Sequence, residues 1–564
     1  MNEEVKANKI ISISRRRGLY WPSFEIYGGL AGFYDYGPLG LLLRENIFQI
    51  WRRMYRLEGF YEIDTPNINP EEVFVASGHV SSFSDLLVTC NKCGESFRAD
   101  HLTAGIVVST DIEEIKRALA SGKVKCTRCG SNSFSEPRQF NLMFRTFIGP
   151  YEGKKGYLRP ETAQGIFINF QQLLRFFRDS LPFGIIQRGK GFRNEISPRQ
   201  GFIRLREFNM LEAELFVDPE DMSWGRFNQA RDVMTALLPS GGELIRISFG
   251  KAVEQGIIGS EVIAYFMYLT QQFMISLGID EKRCRFKQHG RDELAHYATE
   301  AWDFEAELST GWTELTGIAD RGTFDLTSHS RHSGADLTFF KKHEPVTVKR
   351  RRIVPNKVEL GRHFGAKAKA IAEKMESMES FQGGSLKVTV DGEQYELSER
   401  FFSFVEEEVR ETGTRITPRV IEPSSGLDRI FYAVLEHSFD ESTETFDFPQ
   451  SIAPIKIGVF PLIEEERLIE IAKSLHMELL SSDIESYYDE HGSIGRRYAR
   501  MDEIGTPFCV TVDEQTLEDS TVTVRERKTK KQIRVKSEML VQAIRKLLSG
   551  SGLEEVAYNG EVFR

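Results

Sequence analysis

Two groups of residues have the types and the spacing that chemistry needs. The first lies in residues 189–216, GKGFRNEISPRQGFIRLREFNMLEAELF, with four arginines, four glutamates and four phenylalanines. In a strand with a side-chain period of two, Arg204, Arg206 and Phe208 share one face, and so do Met210 and Glu212. Cations for phosphates, a ring for stacking and a carboxylate for an exocyclic amine make a nucleotide site. The same pattern also describes a hairpin that faces water and pairs its own charges, and the residues alone leave both readings open. The second group is Cys90-x-x-Cys93 and Cys126-x-x-Cys129, with Gly94 and Gly130 after the second cysteine of each pair. Four thiolates fill a tetrahedral zinc shell and leave no open position, so the metal would be structural. The alternative is four reduced cysteines without metal. Cys284 and Cys509 stand alone.

The elements that must position these groups follow from periodicity. The first group reads as a hairpin: a strand ending at Arg193-Asn194-Glu195, a loop with Pro198 and Gly201, and a returning strand from Phe202. Upstream, GLLLRENIFQIWRRMYRL (residues 40–57) places Leu43, Ile47, Ile50, Met54 and Leu57 at helical spacing, with Gly59 as the stop. A charged helix separates the cysteine pairs. Residues 218–300 read as largely helical, and LKVTVDGEQYEL as a hairpin turning at Asp391-Gly392. RVIEPSSGLDRIFYAVLEHSF reads as strand, turn and helix. Beyond Pro454, strands and helices alternate over about 100 residues, which predicts a compact α/β domain.

The 564 residues, 40% of them hydrophobic, suggest three or four structural units of a soluble protein. A net charge of -10 excludes an overall basic coat for nucleic acid and leaves room for local patches. Residues 341–352 and 492–500 are such patches, able to contact backbone phosphates or to form solvated faces. MNEEVKANKI has no apolar core, so no signal peptide is expected. Ser260, Glu261, Gln271 and Gln272 interrupt the apolar run 257–279, which predicts a buried helix and not a membrane span. A cytoplasmic protein without a membrane partner is expected, and six cysteines in such a chain do not make a disulfide framework.

Phe-Arg-Asn-Glu, a loop and RLREFNMLE resemble motif 2 of the class II aminoacyl-tRNA synthetases, with Arg193, Glu195, Arg204, Phe208 and Glu212 in its slots. GLDRIFYAVLEHSF resembles motif 3, with Gly426 and Arg429 in place, and the helix from Leu41 through GFYEIDTP to Pro66 resembles motif 1. EIYGGLAGFYDYGPLG, GYLRPETAQGIF, VIEPSSGLDR and GSIGRRYARMDEIGTPF extend the match to the homodimeric glycyl-tRNA synthetases, nearest their archaeal branch. The resemblance covers almost the whole chain and is weakest in 219–300 and 339–415. One departure stands out: Asp428 occupies the second glycine of the Gly-Leu-Gly-Arg found in many of these enzymes.

The resemblance implies an α/β (α+β) fold, an antiparallel sheet flanked by helices. It implies a core in segments 1–87 (motif 1), 139–218 (motif 2), 301–338 and 417–450 (motif 3). Insertions would be zinc-binding at 88–138, mostly helical at 219–300 and basic, meeting tRNA, at 339–416, with an anticodon-binding domain at 451–564. The reaction would join glycine to ATP as glycyl-adenylate, then to the 3′ end of tRNA(Gly), releasing AMP and pyrophosphate. Arg193 would bridge carboxylate and α-phosphate, beside Asn194. Glu195 would accept from the adenine amine, and Phe208 and Arg429 would stack on opposite adenine faces. Arg204 and Leu205 would line the phosphate side. Glu314 would hold Mg²⁺, with the backbone of Leu315 near the nucleotide. Glu161, Glu212 and Glu422 would trap the ammonium of glycine, with Arg321 and Pro423 nearby and Ser424 filling the space of any β-carbon.

Overall fold

The computed structural model describes residues 3–107, 111–151, 153–198, 201–291, 293–295, 297–376, 378, 385–390 and 392–563. The chain divides into two compact units, Met1–Leu337 with Pro418–Arg564, and Thr338–Thr417.

The first unit is built on a nine-stranded sheet. Its strands are β1 (Tyr61–Glu62), β2 (Phe183–Phe192), β3 (Glu207–Val217), β4 (Met234–Leu238), β5 (Ile245–Ser248), β6 (Cys284–Gln288), β7 (Glu300–Leu308), β8 (Gly311–Gly322) and β9 (Arg419–Gly426). They lie in the order β5-β4-β6-β7-β8-β9-β3-β2-β1, antiparallel throughout the centre. The expectation of a mostly helical segment over 219–300 is therefore corrected. Three of the strands come from it, and its helical part is chiefly α2 (Glu261–Ser276).

Ser260 caps α2 by accepting from the Ile263 N–H, and nearly every side of the helix is buried. α1 (Pro38–Leu57) opens with proline at a position where no amide hydrogen is needed. Its buried stripe is Leu43, Ile47, Phe48, Trp51 and Tyr55. The aromatic residues thus take the core-facing side, and Leu57, expected on the stripe, is 66% exposed. α4 (Leu427–Ser438) completes this layer on one face of the sheet. The other face carries the short helices Ala163–Phe167 and Phe170–Phe176 and α3 (Phe324–Ser333).

Two irregularities interrupt β8. The register of β7 with β8 runs Phe304↔Thr316 and then Glu305↔Glu314, so Leu315 is an extra residue in a bulge. The register of β8 with β9 runs Asp320↔Ile421 and then Gly322↔Val420, so Arg321 is extra. Bulges re-aim side chains.

The cysteine-bearing module packs Val88, Phe97, Ile115 and Leu119 around a small sheet of Ser84–Thr89, Ser96–Arg98 and Arg138–Asn141. The C-terminal sheet comprises β10 (Ile457–Pro461), β11 (Ser486–Tyr488), β12 (Phe508–Val512), β13 (Thr521–Glu526), β14 (Gln532–Lys536) and β15 (Val562–Phe563). They lie in the order β11-β10-β12-β13-β14-β15, with α5 (Glu466–Ser481) and α6 (Leu540–Leu548) packed on them. The predicted alternation holds there.

The second unit is a long antiparallel ribbon, Phe339–Pro355 with Phe402–Ile416, and a head whose core includes Ile353, Leu360, Ile371, Leu386 and Leu397. The head contains the expected hairpin, Ser385–Val390 with Glu393–Ser398. Gly392 has φ +82°, as a turn requires, and Asp391 lies outside the described residues. In the ribbon, the backbone register sets Lys349, Arg350 and Arg351 opposite Glu408, Glu407 and Glu406. The C-terminal part of the basic run at 341–352 is thus set against acids of its own partner strand, with Arg352 Nε 3.4 Å from a Glu407 oxygen.

Candidate active site

β2 and β3 form the expected hairpin, but the returning strand starts at Glu207 and not at Phe202. Gly201–Ile203 is a turn of 3₁₀ helix, and Phe202 is buried. Gly191 lies opposite Phe208, and a Cβ on Gly191 would come within 2.6 Å of the Phe208 ring and 2.8 Å of Met210 Sδ. A glycine is required for the ring to lie where it does.

Above this hairpin opens a cavity of about 670 Å³, lined by Arg193, Glu195, Arg204, Leu205, Phe208, Asn209, Glu314, Ser424 and Arg429 among others. Arg193, Glu195 and Arg204 of this segment face a cleft, while Lys190 and Glu207 pair with each other at the surface, so the hairpin carries features of both readings. Arg193 carries its guanidinium carbon 5.3 Å from the centre of the Phe208 ring. Arg429, in the first turn of α4, donates to the Glu314 carboxylate at 2.9 Å and to the Glu314 and Ile203 carbonyls at 3.0 and 3.2 Å. Glu195 accepts from Arg204 Nε at 2.9 Å. Arg204, expected on phosphate, is held here by that carboxylate. Asn194 and Leu315 are not among the cavity-lining residues. Asn194 ties its N–H to the Leu142 carbonyl at 2.6 Å, and the Leu315 side chain is buried.

The bulge explains the difference between Leu315 and its neighbour. Asp303 lies opposite Gly317, which lies opposite Ser424, so all three share the site face. Without the extra residue, Leu315 would be next on that face. With it, Glu314 is. A Cβ on Gly317 would lie 3.7 Å from Asp303 Oδ1 and 3.9 Å from Glu314 Oε1, so both carboxylates border the space that this glycine leaves. His289 Nε2 holds the other Asp303 oxygen at 2.8 Å.

Beside the cavity, and continuous with it through Ser424, lies a buried acidic pocket. Glu212 Oε2 accepts from the Thr162 N–H at 2.7 Å and from the Thr162 hydroxyl, and Oε1 accepts from Ser424 Oγ at 3.1 Å. Glu161 accepts from Gln164 at 2.9 Å and has His79 Nε2 and Arg321 Nη2 at 3.6 Å. Glu422 accepts from Arg321 Nη1 at 2.9 Å. The three glutamates expected together are together. Pro423 lies between Glu422 and Ser424 on the strand and turns to the opposite face, in register with Ile318.

Arg321 is a hub and not an open cation. It is 1% exposed, donates to both Asp325 oxygens at 2.8 and 3.0 Å, and lies 3.8 Å from the centre of the Tyr297 ring. Its donors are taken by carboxylates, so it organises the pocket. Burial opposes ionisation of Glu161, Glu212, Glu214 and Glu422. His79 and Arg321 overcome it at Glu161, whose carboxyl stays well below the usual range. Glu422 is pushed up to about 8 by burial, despite Arg321. Burial and then the Glu161 charge raise Glu212. Glu214 is buried completely, neither of its oxygens has a hydrogen-bond partner among the described residues, and burial and Glu422 push it well above the usual range. Carboxyl groups thus outnumber guanidinium groups in this cluster, with Glu161, Glu212, Glu422 and Asp325 gathered around Arg321.

Comparison with known proteins gives the family. Residues 147–438 match the tRNA synthetase class II core domain (G, H, P, S and T), and residues 452–547 match an anticodon binding domain. The glycine–tRNA ligase of Methanothrix thermoacetophila is 49% identical, covering 96% of this chain and 97% of the relative. Those of Archaeoglobus fulgidus and Methanocaldococcus jannaschii are 47% and 46% identical, covering 99% and 96% of this chain and 99% and 98% of theirs. The chain belongs to the glycine–tRNA ligase family. Its fold is also that of a Giardia lamblia prolyl-tRNA synthetase in complex with prolyl-adenylate, at TM-score 0.52 and 13% identity over 96% of this chain and 77% of that one.

The four cysteines of this glycine–tRNA ligase family member converge. Their sulfurs lie within 4.8 Å of one another, with Cys90–Cys129 at 3.6 Å and Cys93–Cys126 at 3.7 Å. A tetrahedron with zinc–sulfur bonds of about 2.3 Å has edges of about 3.8 Å, so the spacing fits zinc. Each knuckle is closed alike: the N–H groups of Gly94 and Gly130 donate to the Cys90 and Cys126 carbonyls at 2.9 Å, and both glycines have positive φ. The basic stretch 492–500 is less open than its sequence suggests. Arg497 is buried and donates to the Pro461 carbonyl at 2.5 Å, and Arg500 pairs with Asp489 at 3.0 Å.

Sequence reasoning missed Asp325, Tyr297, His79, Thr162, Glu214 and Asp303. Thr162 and Gln164 stand inside the segment GYLRPETAQGIF, next to Glu161, and Asp325 comes four residues after Arg321. Glu214 follows Glu212 at strand spacing in the segment already singled out, while Tyr297, His79 and Asp303 have no local signal.

Proposed function

We infer that this chain is a glycine–tRNA ligase: it activates glycine with ATP to glycyl-adenylate and esterifies the 3′ end of tRNA(Gly). The observation that carries the reading is Ser424, which lines the nucleotide cavity and also donates to Glu212 in the acidic pocket. An adenylate needs one ligand group in each, with the joining atoms between them. Arg193 stands at that junction, its Nε 3.4 Å from the carbonyl of Pro160, next to Glu161. It would neutralise charge as the glycine carboxylate attacks the α-phosphate in line. Phe208 and Arg429 would hold adenine, and Glu195 would accept from its amine. Both catalytic steps then depend on positioning and charge, with no covalent enzyme intermediate.

Glycine would enter with its ammonium toward Glu161, Glu212 and Glu422. Ser424 would close the space that a side chain needs. One methyl group in a pocket is worth about 1–3 kcal/mol, which is the discrimination available against alanine. The carboxylates of Glu314 and Asp303 fit Mg²⁺, a hard cation that would supply charge to the phosphates, and the four thiolates fit a structural zinc.

A homodimer is supported by Leu57, Tyr61 and Phe176, 66%, 54% and 60% exposed at the β1 edge of the sheet, with Tyr61 and Phe176 ring centres 5.0 Å apart. An edge strand beside exposed aromatic rings is the kind of edge that a second copy covers. No helix among the described residues is long and apolar enough to cross a membrane, in keeping with a cytoplasmic enzyme. Glycine-dependent exchange between ATP and pyrophosphate tests the whole reading. Exchange driven better by alanine, serine or proline would overturn it.

A further inference from the structure

Asp428 is the residue that departs from the Gly-Leu-Gly-Arg pattern, and it is 3% exposed. It stands in the first turn of α4, where β9 has just left the sheet at Gly426. The ladder between β9 and β3 ends at Met210↔Gly426, so the next residue of β3, Asn209, has no β9 residue opposite it. Asp428 supplies the missing acceptor. Its Oδ2 accepts from the Asn209 N–H at 2.5 Å, and its Oδ1 accepts from Asn209 Nδ2 at 2.9 Å and from the Tyr36 hydroxyl. Tyr36 is fixed in turn by edge contacts with Phe202 and Phe431, ring centres 5.3 and 4.9 Å away, and by the Arg44 guanidinium 4.7 Å from its ring.

Position gives this carboxylate its meaning. Asn209 is the residue after Phe208, and Asp428 precedes Arg429. The two residues proposed to grip adenine are thus each one peptide unit from a group in the same hydrogen-bonded cluster. Burial raises the Asp428 carboxyl, while the Tyr36 and Asn209 donors act against that rise and stabilise the charged form.

We propose that Asp428 is a positioning residue for ATP, clamping β3 to α4 so that Phe208 and Arg429 stand at the separation of one base. This rests on the adenylate-forming function proposed for the chain. The clamp acts on the nucleotide slot and not on the glutamate pocket, so its loss should separate the two substrates kinetically.

The test is Asp428→Asn in the full chain. Each carboxylate oxygen receives an Asn209 donor, so whichever way the asparagine amide turns, its NH2 meets one of those donors as placed and a bond of the cluster is lost. The expected result is an ATP KM raised about tenfold, with the glycine KM within twofold of the parent. Direct ATP binding without glycine, followed by calorimetry, should weaken by the same factor. A merely structural role would lower the melting temperature and the active fraction while leaving the ATP KM alone, and that result overturns the proposal. So does an equal rise in both KM values. If Asp428→Asn does not fold, Tyr36→Phe with Asn209→Ala keeps the carboxylate and its backbone partner. It should raise the ATP KM about threefold, and an unchanged ATP KM in that variant also refutes the clamp. ATP binding to the parent chain without glycine-dependent exchange would count against the functional reading, while the calorimetric comparison still judges Asp428.

Discussion

Glu212→Gln gives the sharpest test of the ammonium pocket. Glu212 is 1% exposed and its carboxylate receives three donors, two from Thr162 and one from Ser424. Glutamine can keep its carbonyl oxygen on Thr162 and turn its amide to Ser424, whose hydroxyl accepts as readily as it donates. Shape and local bonding are retained, so the change isolates one negative charge. A hydrogen bond to a charged group is worth a net of about 1.5–3 kcal/mol. At about 1.4 kcal/mol per factor of ten, the glycine KM should rise about 10- to 150-fold. Phe208, Arg429 and Glu314 do not touch Glu212, so the ATP KM should stay within about twofold of the parent. Pyrophosphate exchange at saturating ATP and varied glycine measures the first, and the converse titration the second. A glycine KM within twofold of the parent would show that Glu212 does not face the ammonium, and the three-glutamate reading would fail.

The same geometry sets three further expectations. Arg193→Ala should abolish adenylate formation while tRNA binding persists in a filter or gel-shift assay; retained exchange would remove Arg193 from the reaction. The chain should carry one zinc by elemental analysis, and Cys126→Ser should lose it and speed amide exchange across 88–138; a metal-free parent would favour reduced structural cysteines. For pH, Glu422 (up to about 8) and Glu214 bind protons more tightly folded than unfolded, so the stability they contribute is present below about pH 4, near their unfolded value, and is lost as pH rises through the folded values. Glycine-free protein should therefore melt lower at pH 8 than at pH 6, and Glu214→Gln, which removes one buried titratable group, should flatten that slope; parallel melting curves for parent and variant would contradict it.

Much of the site was legible because its residues are packed into short segments. Arg193, Glu195, Phe208 and Glu212 belong to one hairpin, and strand periodicity alone puts Phe208 and Glu212 on one face. The four cysteines declare themselves by spacing, since a knuckle is a local object closed by its own glycine. The C-terminal alternation of strands and helices was readable for the same reason. The helical reading of 219–300 failed because strands as short as β4, β5 and β6 carry little periodic signal beside the long apolar α2. The stripe of α1 was mostly right, since Leu43 and Ile47 are buried and Ile50 and Met54 pack against the core, but it ends before Leu57 because Phe48, Trp51 and Tyr55 bury larger surfaces and turn the helix toward themselves.

Sequence alone determined the ingredients: a hairpin with cations, a ring and carboxylates, four thiolates at metal-ligand spacing, and a run of motifs in a fixed order. It also determined the family, because those motifs are contiguous. Tertiary structure decided which charges are available. Two bulges in β8 turn Glu314 to the cavity and make Arg321 the hub of Asp325, Glu161 and Glu422, and a bulge depends on pairing with other strands. The basic runs at 341–352 and 492–500 looked alike in composition, yet the first is set against glutamates across a ribbon and the second gives up Arg497 to backbone carbonyls. Charge in a sequence is a sum over residues; charge at a site is what remains after each has met its neighbour, and the neighbours are fixed only by the fold.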